Sequence, residues 1–409
     1  MRIGLICPVF QPTGGSGIGN AYLHRALGLS ALGHTVDVFT WLDPSATPVY
    51  EKHGIRVHRV PNPSVVNIIE RAANKMARSG YRRLSRDSRG DAYATARDVR
   101  GALTTMAMSL GRELGRMDLL EACEWGGACG AFARRSQSQL AVCGIHGSVY
   151  SHRHRFARHT RLAPIDVALA SAIERAGANR ADVAVAPTSE AADDARDWLG
   201  IRRPVHVVPN CIDLPWVDSL EPVQSRGEAS EEISVVFSGH VAGHKGSFAL
   251  DWLVGQLRSE PSDRRWRVRV LGYLKDVALY RHLSTPRAGG VTVETTGVLP
   301  PSDVLRELKG ADIFLCLSEA ETFGMGVLEA MACGAAVIST PVGAAADMID
   351  DGGTGLLVPV GDGVALHRAI DTLAEADLRR RIRHAARTLV EHRFNSAHVA
   401  AEWLRVCLA

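Results

Sequence analysis

Two acidic side chains separated by seven residues, Glu321 and Glu329, stand around the start of a predicted helix. An apolar strand ends at Leu317, a polar loop carries Glu321, and the helix begins near Met325. Glu329 then lies about one helical turn inside it. Carboxylates accept hydrogen bonds from hydroxyl groups, and the first amides of a helix donate them. The pattern is therefore typical of a site for a hydroxyl-rich ligand.

A surface acid and an acid on a helix face without function are the alternative interpretation of this pair. Glu329 argues against it, because a carboxylate in an otherwise apolar helix is expected to be buried, and buried charges need a partner. The main-chain amides of Phe323, Gly324 and Met325 lie between the two carboxylates in the sequence. We expect them to take part in the same site.

Two glycine-rich loops follow predicted strands and precede helices, an arrangement that favours phosphate binding. The first is 14–19, and the second is 238–246, where Lys245 can neutralise a phosphate as a compact charge. The first loop does not fit the dinucleotide fingerprint, because its third glycine would fall at Tyr22 and Asp37 lies within a strand. A plain tight turn and an ordinary surface lysine remain the alternatives.

Cationic side chains are concentrated in two segments of the first half. Residues 71–100 hold nine basic side chains against three acidic ones, and the segment 146–159 is rich in His and Arg. A solvated helix face is one interpretation of 71–100. An anionic acceptor and a membrane surface are the alternatives. The second segment lacks acidic or cysteine partners, so we predict no metal site there.

Both halves alternate short apolar strands with helical stretches, as parallel βαβ units do. Strands are predicted at 3–7, 36–40, 55–60, 140–145, 183–186 and 205–208, and the first helix, over 17–32, stops at Gly33. After a polar, proline-containing stretch, strands resume at 233–237, 268–271, 291–294, 313–317 and 335–339. This predicts an α/β fold with two Rossmann-like domains. They are 1–210, onto which a helix at 396–409 packs back, and 233–395, joined by a linker at 211–232.

The composition is that of a globular protein and excludes several other classes. The 409 residues are 46% hydrophobic and 22% charged, and their number exceeds one ordinary domain. A net charge of +3 gives no reason to expect a nucleic-acid partner. No apolar run reaches the roughly 18 residues of a membrane span. The eight cysteines contain no Cys-x-x-Cys pair, so buried free thiols and a cytoplasmic location are expected.

Taken together, these motifs make the chain resemble the retaining glycosyltransferases of family GT4. Their GT-B fold has two Rossmann-like domains with parallel sheets facing across a cleft. The resemblance covers nearly the whole chain. It is carried by Gly14-Gly15, Gly33-His34-Thr35-Val36, Val207-Val208-Pro209-Asn210, Lys245-Gly246, the E-x7-E pair Glu321 and Glu329, and the block 329–334.

The resemblance implies a metal-independent transfer of sugar from a nucleotide-diphosphate sugar, UDP-sugar rather than GDP-sugar, without a cofactor. In the implied front-face mechanism the leaving diphosphate accepts the acceptor proton. Lys245, Glu321 and His146 are the implied catalytic residues. The implied donor-binding residues are Gly15, Ser16, Gly17, Gly239, His240, Val298, Phe323, Gly324, Met325, Gly326, Val327 and, at the ribose, Glu329. Those for the acceptor are Asn20, Arg153 and Arg155.

The sequence departs from the family pattern at four positions. His240 stands where arginine is usual, which predicts weaker or pH-dependent phosphate binding. Cys211 replaces a glycine, and Ala344 and Asp347 stand where glycine and glutamate are usual. These departures leave the fold prediction unchanged and caution against assuming a common donor.

Several functions remain open at this point. They are transfer to a membrane lipid, a nucleotide-sugar epimerase or hydrolase of the same fold, and a non-catalytic sugar-nucleotide sensor. A nicotinamide-dependent oxidoreductase is disfavoured by the missing fingerprint. We favour a small soluble acceptor over a lipid, because Tyr81 and Tyr93 are the only aromatic residues of 71–100. The basic side chains of 71–100 and 146–159 suggest that this acceptor carries phosphate or carboxylate. The oligomeric state stays open, with a homodimer as one option.

Overall fold

The structure, a computed structural model, describes residues 1–7, 10, 16–42, 49–52, 54–61, 116–125, 127–129, 138–148, 164–223, 232–238, 243–259, 264–272, 283 and 290–409. The chain divides into two compact units. Unit 1 consists of Met1–Phe10, Ala21–Asn210 and Ser396–Ala409, and unit 2 consists of Gln11–Asn20 and Cys211–Asn395. Residues 16–20, at the start of the first helix, thus belong to unit 2 although they lie near the start of the sequence.

Unit 1 is built around one sheet. Its strands are β1 (Arg2–Ile6), β2 (Thr35–Leu42), β3 (Val49–Lys52), β4 (Ile55–Pro61), β5 (Met117–Cys123), β6 (Ser138–Gly144), β7 (Val183–Ala186) and β8 (Val205–Val207). The eight strands lie in the order β3-β4-β2-β1-β5-β6-β7-β8. All neighbours are parallel except β3, which pairs antiparallel with β4 at the edge. Helices α1 (Gly17–Ala31), α2 (Pro164–Ala178) and α3 (Ser189–Leu199) connect these strands.

Strand β5 was not predicted from the sequence, and its composition explains why. Asp118 and Glu121 interrupt its apolar run, so the sequence lacks the continuous hydrophobic stretch that indicates a buried strand. Glu121 is nevertheless fully buried and accepts a hydrogen bond of 2.6 Å from the Arg25 guanidinium of α1. That buried ion pair compensates the cost of removing the carboxylate from water. The short edge strand β3 was also missed.

Unit 2 has a six-stranded parallel sheet of order β11-β10-β9-β12-β13-β14. Its strands are β9 (Glu232–Ser238), β10 (Arg265–Leu271), β11 (Val291–Gly297), β12 (Ile313–Cys316), β13 (Ala336–Ser339) and β14 (Leu356–Leu357). Its helices are α4 (Leu214–Asp218), α5 (Ser247–Ser259), α6 (Pro301–Gly310), α7 (Met325–Ala332), α8 (Ala345–Met348), α9 (Gly363–Ala374) and α10 (Ala376–Arg393), with a 3-10 turn at Gly243–Lys245. Helix α4 begins inside the stretch expected to be a linker, where Asp213 caps it by accepting from the Trp216 amide.

After unit 2 the chain returns to unit 1 as α11 (Ser396–Leu408). Trp403 of α11 is fully buried, and the Arg25 guanidinium lies 5.5 Å from the centre of its ring. The α/β prediction of two Rossmann-like parallel sheets is confirmed, with β3 as the antiparallel exception. Within the part of the chain that the structure describes, every helix is too short or too polar to cross a membrane.

Candidate active site

Unit 2 contains a cavity of about 390 Å³, a volume in the range of small-molecule sites. Ser238, Leu271 and Cys316 line it, and these residues end β9, β10 and β12. The cavity therefore lies at the carboxyl ends of the central parallel strands, where ligands bind in open α/β sheets.

Lys245 and Glu321 form an ion pair in this cavity. Lys245 Nζ lies 2.5 Å from Glu321 Oε1, and the side chains are 25% and 20% exposed. Ser318 donates a second hydrogen bond, of 2.7 Å, to the same carboxylate oxygen. Burial lowers the pKa of Lys245, but the charge of Glu321 and its hydrogen bond outweigh burial, so the net pKa is raised. Lys245 therefore carries a positive charge into the cavity at neutral pH.

The position of Lys245 depends on a close contact between two loops. The 3-10 turn Gly243–Lys245 follows β9, and the His244 carbonyl accepts a hydrogen bond of 2.9 Å from the Glu319 amide, in the loop after β12. Gly246 comes next with φ of +77°. A Cβ at that residue would lie 2.1 Å from the Leu317 carbonyl oxygen. Only glycine fits there, which holds Lys245 against the loop of Glu321.

Glu329 lies on α7 and is 5% exposed, which confirms the burial predicted from its apolar surroundings. Its Oε1 accepts a hydrogen bond of 2.7 Å from the Asn20 side-chain amide. Burial raises the pKa of Glu329 to about 7, while the bond from Asn20 acts in the opposite direction. The carboxylate is thus poised to lose its proton when a ligand donates further hydrogen bonds to it.

This pKa predicts that ligand binding at Glu329 is linked to proton release. Hydroxyl groups that donate to Glu329 stabilise its ionised form, so affinity should fall as pH drops through about 7. A nucleotide sugar should bind about tenfold more weakly at pH 6 than at pH 8. Isothermal titration in buffers of different ionisation enthalpy measures both the affinity and the proton released. Glu329→Gln is the control and should remove this pH dependence, whereas an unchanged dependence in Glu329→Gln contradicts the assignment.

Without ligand, the same raised pKa has the opposite consequence for folding. In the native state the Glu329 carboxyl keeps its proton up to about pH 7, whereas its ordinary pKa is 4.5. The stability that this raised pKa contributes at low pH is therefore lost as the pH rises through about 7.

The start of α7 forms one wall of the cavity through Gly324, Met325 and Gly326. Gly324 caps the helix with φ of +96°. Phe323 and Val327 do not line the cavity and are buried beside it. The Phe323 carbonyl accepts a hydrogen bond of 2.8 Å from the Ala344 amide, which fixes the loop that precedes α7.

Further predicted donor-site residues lie in the same cavity: Ser16, Gly17 and Val298. Asn20, expected at the acceptor, also lines it and contacts Glu329, while its acceptor role stays a prediction. Ser318 was missed, and its position three residues before Glu321 is the signal that could have identified it. Outside the described residues lie Gly15, Gly239, His240, Arg153, Arg155 and the segment 71–100.

His146 lies in unit 1, two residues after the end of β6, and is 8% exposed. Burial, and next the charge of Arg25, lower its pKa to about 3. The imidazole is therefore neutral at physiological pH and can act as a hydrogen-bonding group without a positive charge. Its ring centre lies 5.2 Å from that of Tyr22. No group of three or more His, Cys, Asp or Glu side chains suited to a metal occurs among the described residues.

Comparison with known families matches both parts of the chain. Residues 220–389 match the family described as "Glycosyl transferases group 1". Residues 16–211 match the family described as "Glycosyl transferase 4-like domain". The first match includes Lys245, Glu321 and Glu329, and the second includes His146.

Individual relatives and solved structures point the same way. Over 103 residues the chain is 41% identical to the N-acetyl-alpha-D-glucosaminyl L-malate synthase of Bacillus anthracis. The aligned residues make up 25% of this chain and only 27% of that protein. Over 374 residues it is 29% identical to the D-inositol 3-phosphate glycosyltransferase of Kribbella flavida, covering 87% of this chain and 82% of the relative. The sucrose-phosphate synthase structure from Thermosynechococcus elongatus has a TM-score of 0.74 at 20% identity, covering 99% and 98% of the two chains, a likeness of fold.

Proposed function

We propose that this chain transfers a sugar from a nucleotide-diphosphate sugar to a small anionic acceptor. The basis is its family, because the chain belongs to the GT4-type glycosyltransferases of the GT-B fold. The observation that carries the proposal is the cavity of unit 2, which holds a lysine cation, its paired carboxylate and a buried second carboxylate. These are the groups that a diphosphate, a sugar and a ribose require.

Each group has a separate task in the proposed reaction. Lys245 neutralises the diphosphate and stabilises it as the leaving group, which is electrostatic assistance to bond breaking. Glu321 accepts hydrogen bonds from hydroxyls of the donor sugar, and the amides at the start of α7 donate to that sugar. Glu329 accepts hydrogen bonds from the ribose hydroxyls.

The proposed stereochemical course is retention by a front-face mechanism that needs no metal. The bond between the anomeric carbon and the diphosphate breaks, and the acceptor oxygen bonds to the same face of the sugar. The acceptor proton passes to the departing diphosphate oxygen. No side chain then serves as a covalent nucleophile, so the cations and donors of the cavity supply most of the assistance.

The proposed donor is a UDP-sugar. An apolar part of the cavity, lined by Leu271, Val298, Leu299, Val304 and Phe314, suits the face of a base. Val298 is 42% exposed, so its side chain is accessible for such a contact.

The proposed acceptor is small and carries phosphate or carboxylate. The names of two relatives, an N-acetyl-alpha-D-glucosaminyl L-malate synthase and a D-inositol 3-phosphate glycosyltransferase, indicate anionic acceptors for those proteins. Residues 71–100 of this chain add nine basic side chains to the part of the sequence expected to bind the acceptor.

The test combines a donor screen with a transfer assay. Thermal shift against UDP, GDP, ADP and dTDP and their sugars identifies the donor, because a saturating ligand adds a few kcal/mol of apparent stability. The preferred donor is then incubated with paired acceptors, inositol 3-phosphate beside inositol and L-malate beside a neutral diol. Sugar transfer to the anionic member of a pair supports the proposal. Donor consumption without any product on an acceptor, or transfer only to lipid vesicles, contradicts it.

A further inference from the structure

A buried carboxylate, Glu124, holds the main chain of His146 and has no part in the reaction described above. The side chain follows β5 and is fully buried. The His146 amide donates to both carboxylate oxygens at 2.9 Å, and the Gly147 amide donates to Oε1 at 2.6 Å. Two consecutive main-chain donors therefore converge on one buried carboxyl group.

These bonds replace the sheet pairing that ends just before His146. Strand β6 ends at Gly144, and the Ile145 amide still donates to the Val185 carbonyl at 2.7 Å. The next two amides turn out of the sheet, and Gly147 has φ of +128°. The Glu124 amide in turn donates to the Gly144 carbonyl at 3.1 Å. Glu124 thus ties the end of β5 to the turn after β6 through both its main chain and its side chain.

The imidazole of His146 is confined on its other sides. The Tyr22 ring lies 5.2 Å away at an interplanar angle of 47°. A Cβ on Gly144 would lie 3.1 Å from His146 Nε2, 3.1 Å from the Tyr22 hydroxyl and 2.4 Å from Glu121 Oε1. The ring thus packs against Tyr22 and Gly144, and a residue larger than glycine at 144 would crowd it.

We propose that Glu124 is a positioning residue, which fixes the His146–Gly147 turn through two main-chain amides and so orients the His146 imidazole for sugar transfer. The inference rests on the proposed function and on the catalytic role that the family resemblance implies for His146. Misplacement of a reacting group by about 1 Å can cost about 10²-fold in rate. Loss of the clamp should therefore lower kcat.

Electrostatics agree with this role. Burial raises the pKa of Glu124 to about 7, whereas the amides of His146 and Gly147 lower it. The two amides thus stabilise the ionised carboxylate, as expected for donors aimed at a charge.

The experiment is a double-mutant cycle with Glu124→Ala and His146→Ala, measured as kcat and donor KM. We expect Glu124→Ala to lower kcat about 30–100-fold, with donor KM unchanged. In the His146→Ala background the same change should have less than about a twofold effect, since a residue that acts through His146 has nothing left to orient. An equal loss of kcat in both backgrounds overturns the proposal, as does a Glu124→Ala variant with wild-type kcat.

Two further variants, the isosteric Glu124→Gln and the shorter Glu124→Asp, test the proposal if Glu124→Ala fails to fold. Glu124→Gln keeps one oxygen that can accept from both amides, so it should retain at least a fifth of the wild-type kcat. Glu124→Asp keeps the charge but withdraws it by one methylene and should lose more kcat than Glu124→Gln. The reverse order overturns the proposal, because it would mean that charge alone is needed.

Hydrogen exchange at the His146 and Gly147 amides separates this inference from the proposed function. We expect both amides to exchange at least tenfold faster in Glu124→Ala or Glu124→Asp than in the wild type, while the Ile145 amide is unchanged. Unchanged exchange at 146 and 147 overturns the positioning role. If the wild type transfers no sugar, the proposed function fails, and the exchange result still decides whether Glu124 fixes the turn.

Discussion

Replacing Lys245 by alanine should lower kcat/KM for donor turnover by about 10²–10³-fold, the usual cost of removing one preorganised electrostatic donor. The side chain is the cation that lies 2.5 Å from Glu321 in the cavity of unit 2. When the donor breaks down, negative charge develops on the diphosphate. Without Lys245, only the Glu321 carboxylate of the ion pair remains beside that charge. The variant therefore loses an attraction and keeps a repulsion.

Single-turnover and steady-state assays with the preferred nucleotide sugar measure this effect. Arg264→Ala is the matched control, because Arg264 also pairs with a carboxylate in unit 2 but at the surface, at 3.5 Å with both side chains largely exposed. Exposed pairs contribute little, so the control should keep wild-type kcat/KM. A Lys245→Ala variant within threefold of wild type would mean that the cavity does not bind the diphosphate at this residue.

Gly246→Ala should be more damaging than a methyl group added at any other described glycine near the site. The added Cβ would lie 2.1 Å from the Leu317 carbonyl oxygen and 2.4 Å from the Leu317 Cβ, at a φ of +77°. Strain at such a φ and overpacking against main chain each cost about 1–3 kcal/mol. Unit 2 should therefore lose about 2–6 kcal/mol of stability, which corresponds to a Tm lower by about 4–24 °C.

Calorimetry of the variant checks this prediction, with Gly255→Ala as the control. Gly255 lies in α5, where a new Cβ would meet nothing within 4 Å. Alanine there should leave stability unchanged or raise it by about 0.5–1 kcal/mol. Gly246→Ala should also lose activity, since it adjoins Lys245. A Tm within 2 °C of wild type would show that the loop relaxes around the methyl group and that the close contact does not fix Lys245.

Local patterns in the sequence predicted the features that depend on neighbouring residues. Helix α7 and the burial of Glu329 follow from an apolar helix that begins just after a polar loop. Helix α11 follows from its periodicity. In contrast, β5 was missed, because the charges of Asp118 and Glu121 mask a strand that is stabilised by Arg25, which lies far from it in the sequence.

Contacts between distant residues could not be predicted. Lys245 and Glu321 were both proposed as site residues, but their pairing depends on β9 and β12 being neighbours in the sheet. The hydrogen bond between Asn20 and Glu329 joins residues 309 positions apart and has no local signature. No local pattern in the sequence distinguishes Glu124, because its contacts depend on where the amides of His146 and Gly147 lie in the fold.

Helix α11 is synthesised last but belongs to unit 1, and this affects how the chain can fold during translation. All of 211–395 is synthesised before α11, yet the fully buried Trp403 of α11 belongs to the core of unit 1. Unit 1 therefore cannot close its core cotranslationally while unit 2 is still emerging, although domains usually fold in order from the N-terminus. Until then the surface around Arg25 that accepts Trp403 stays uncovered in the nascent unit 1.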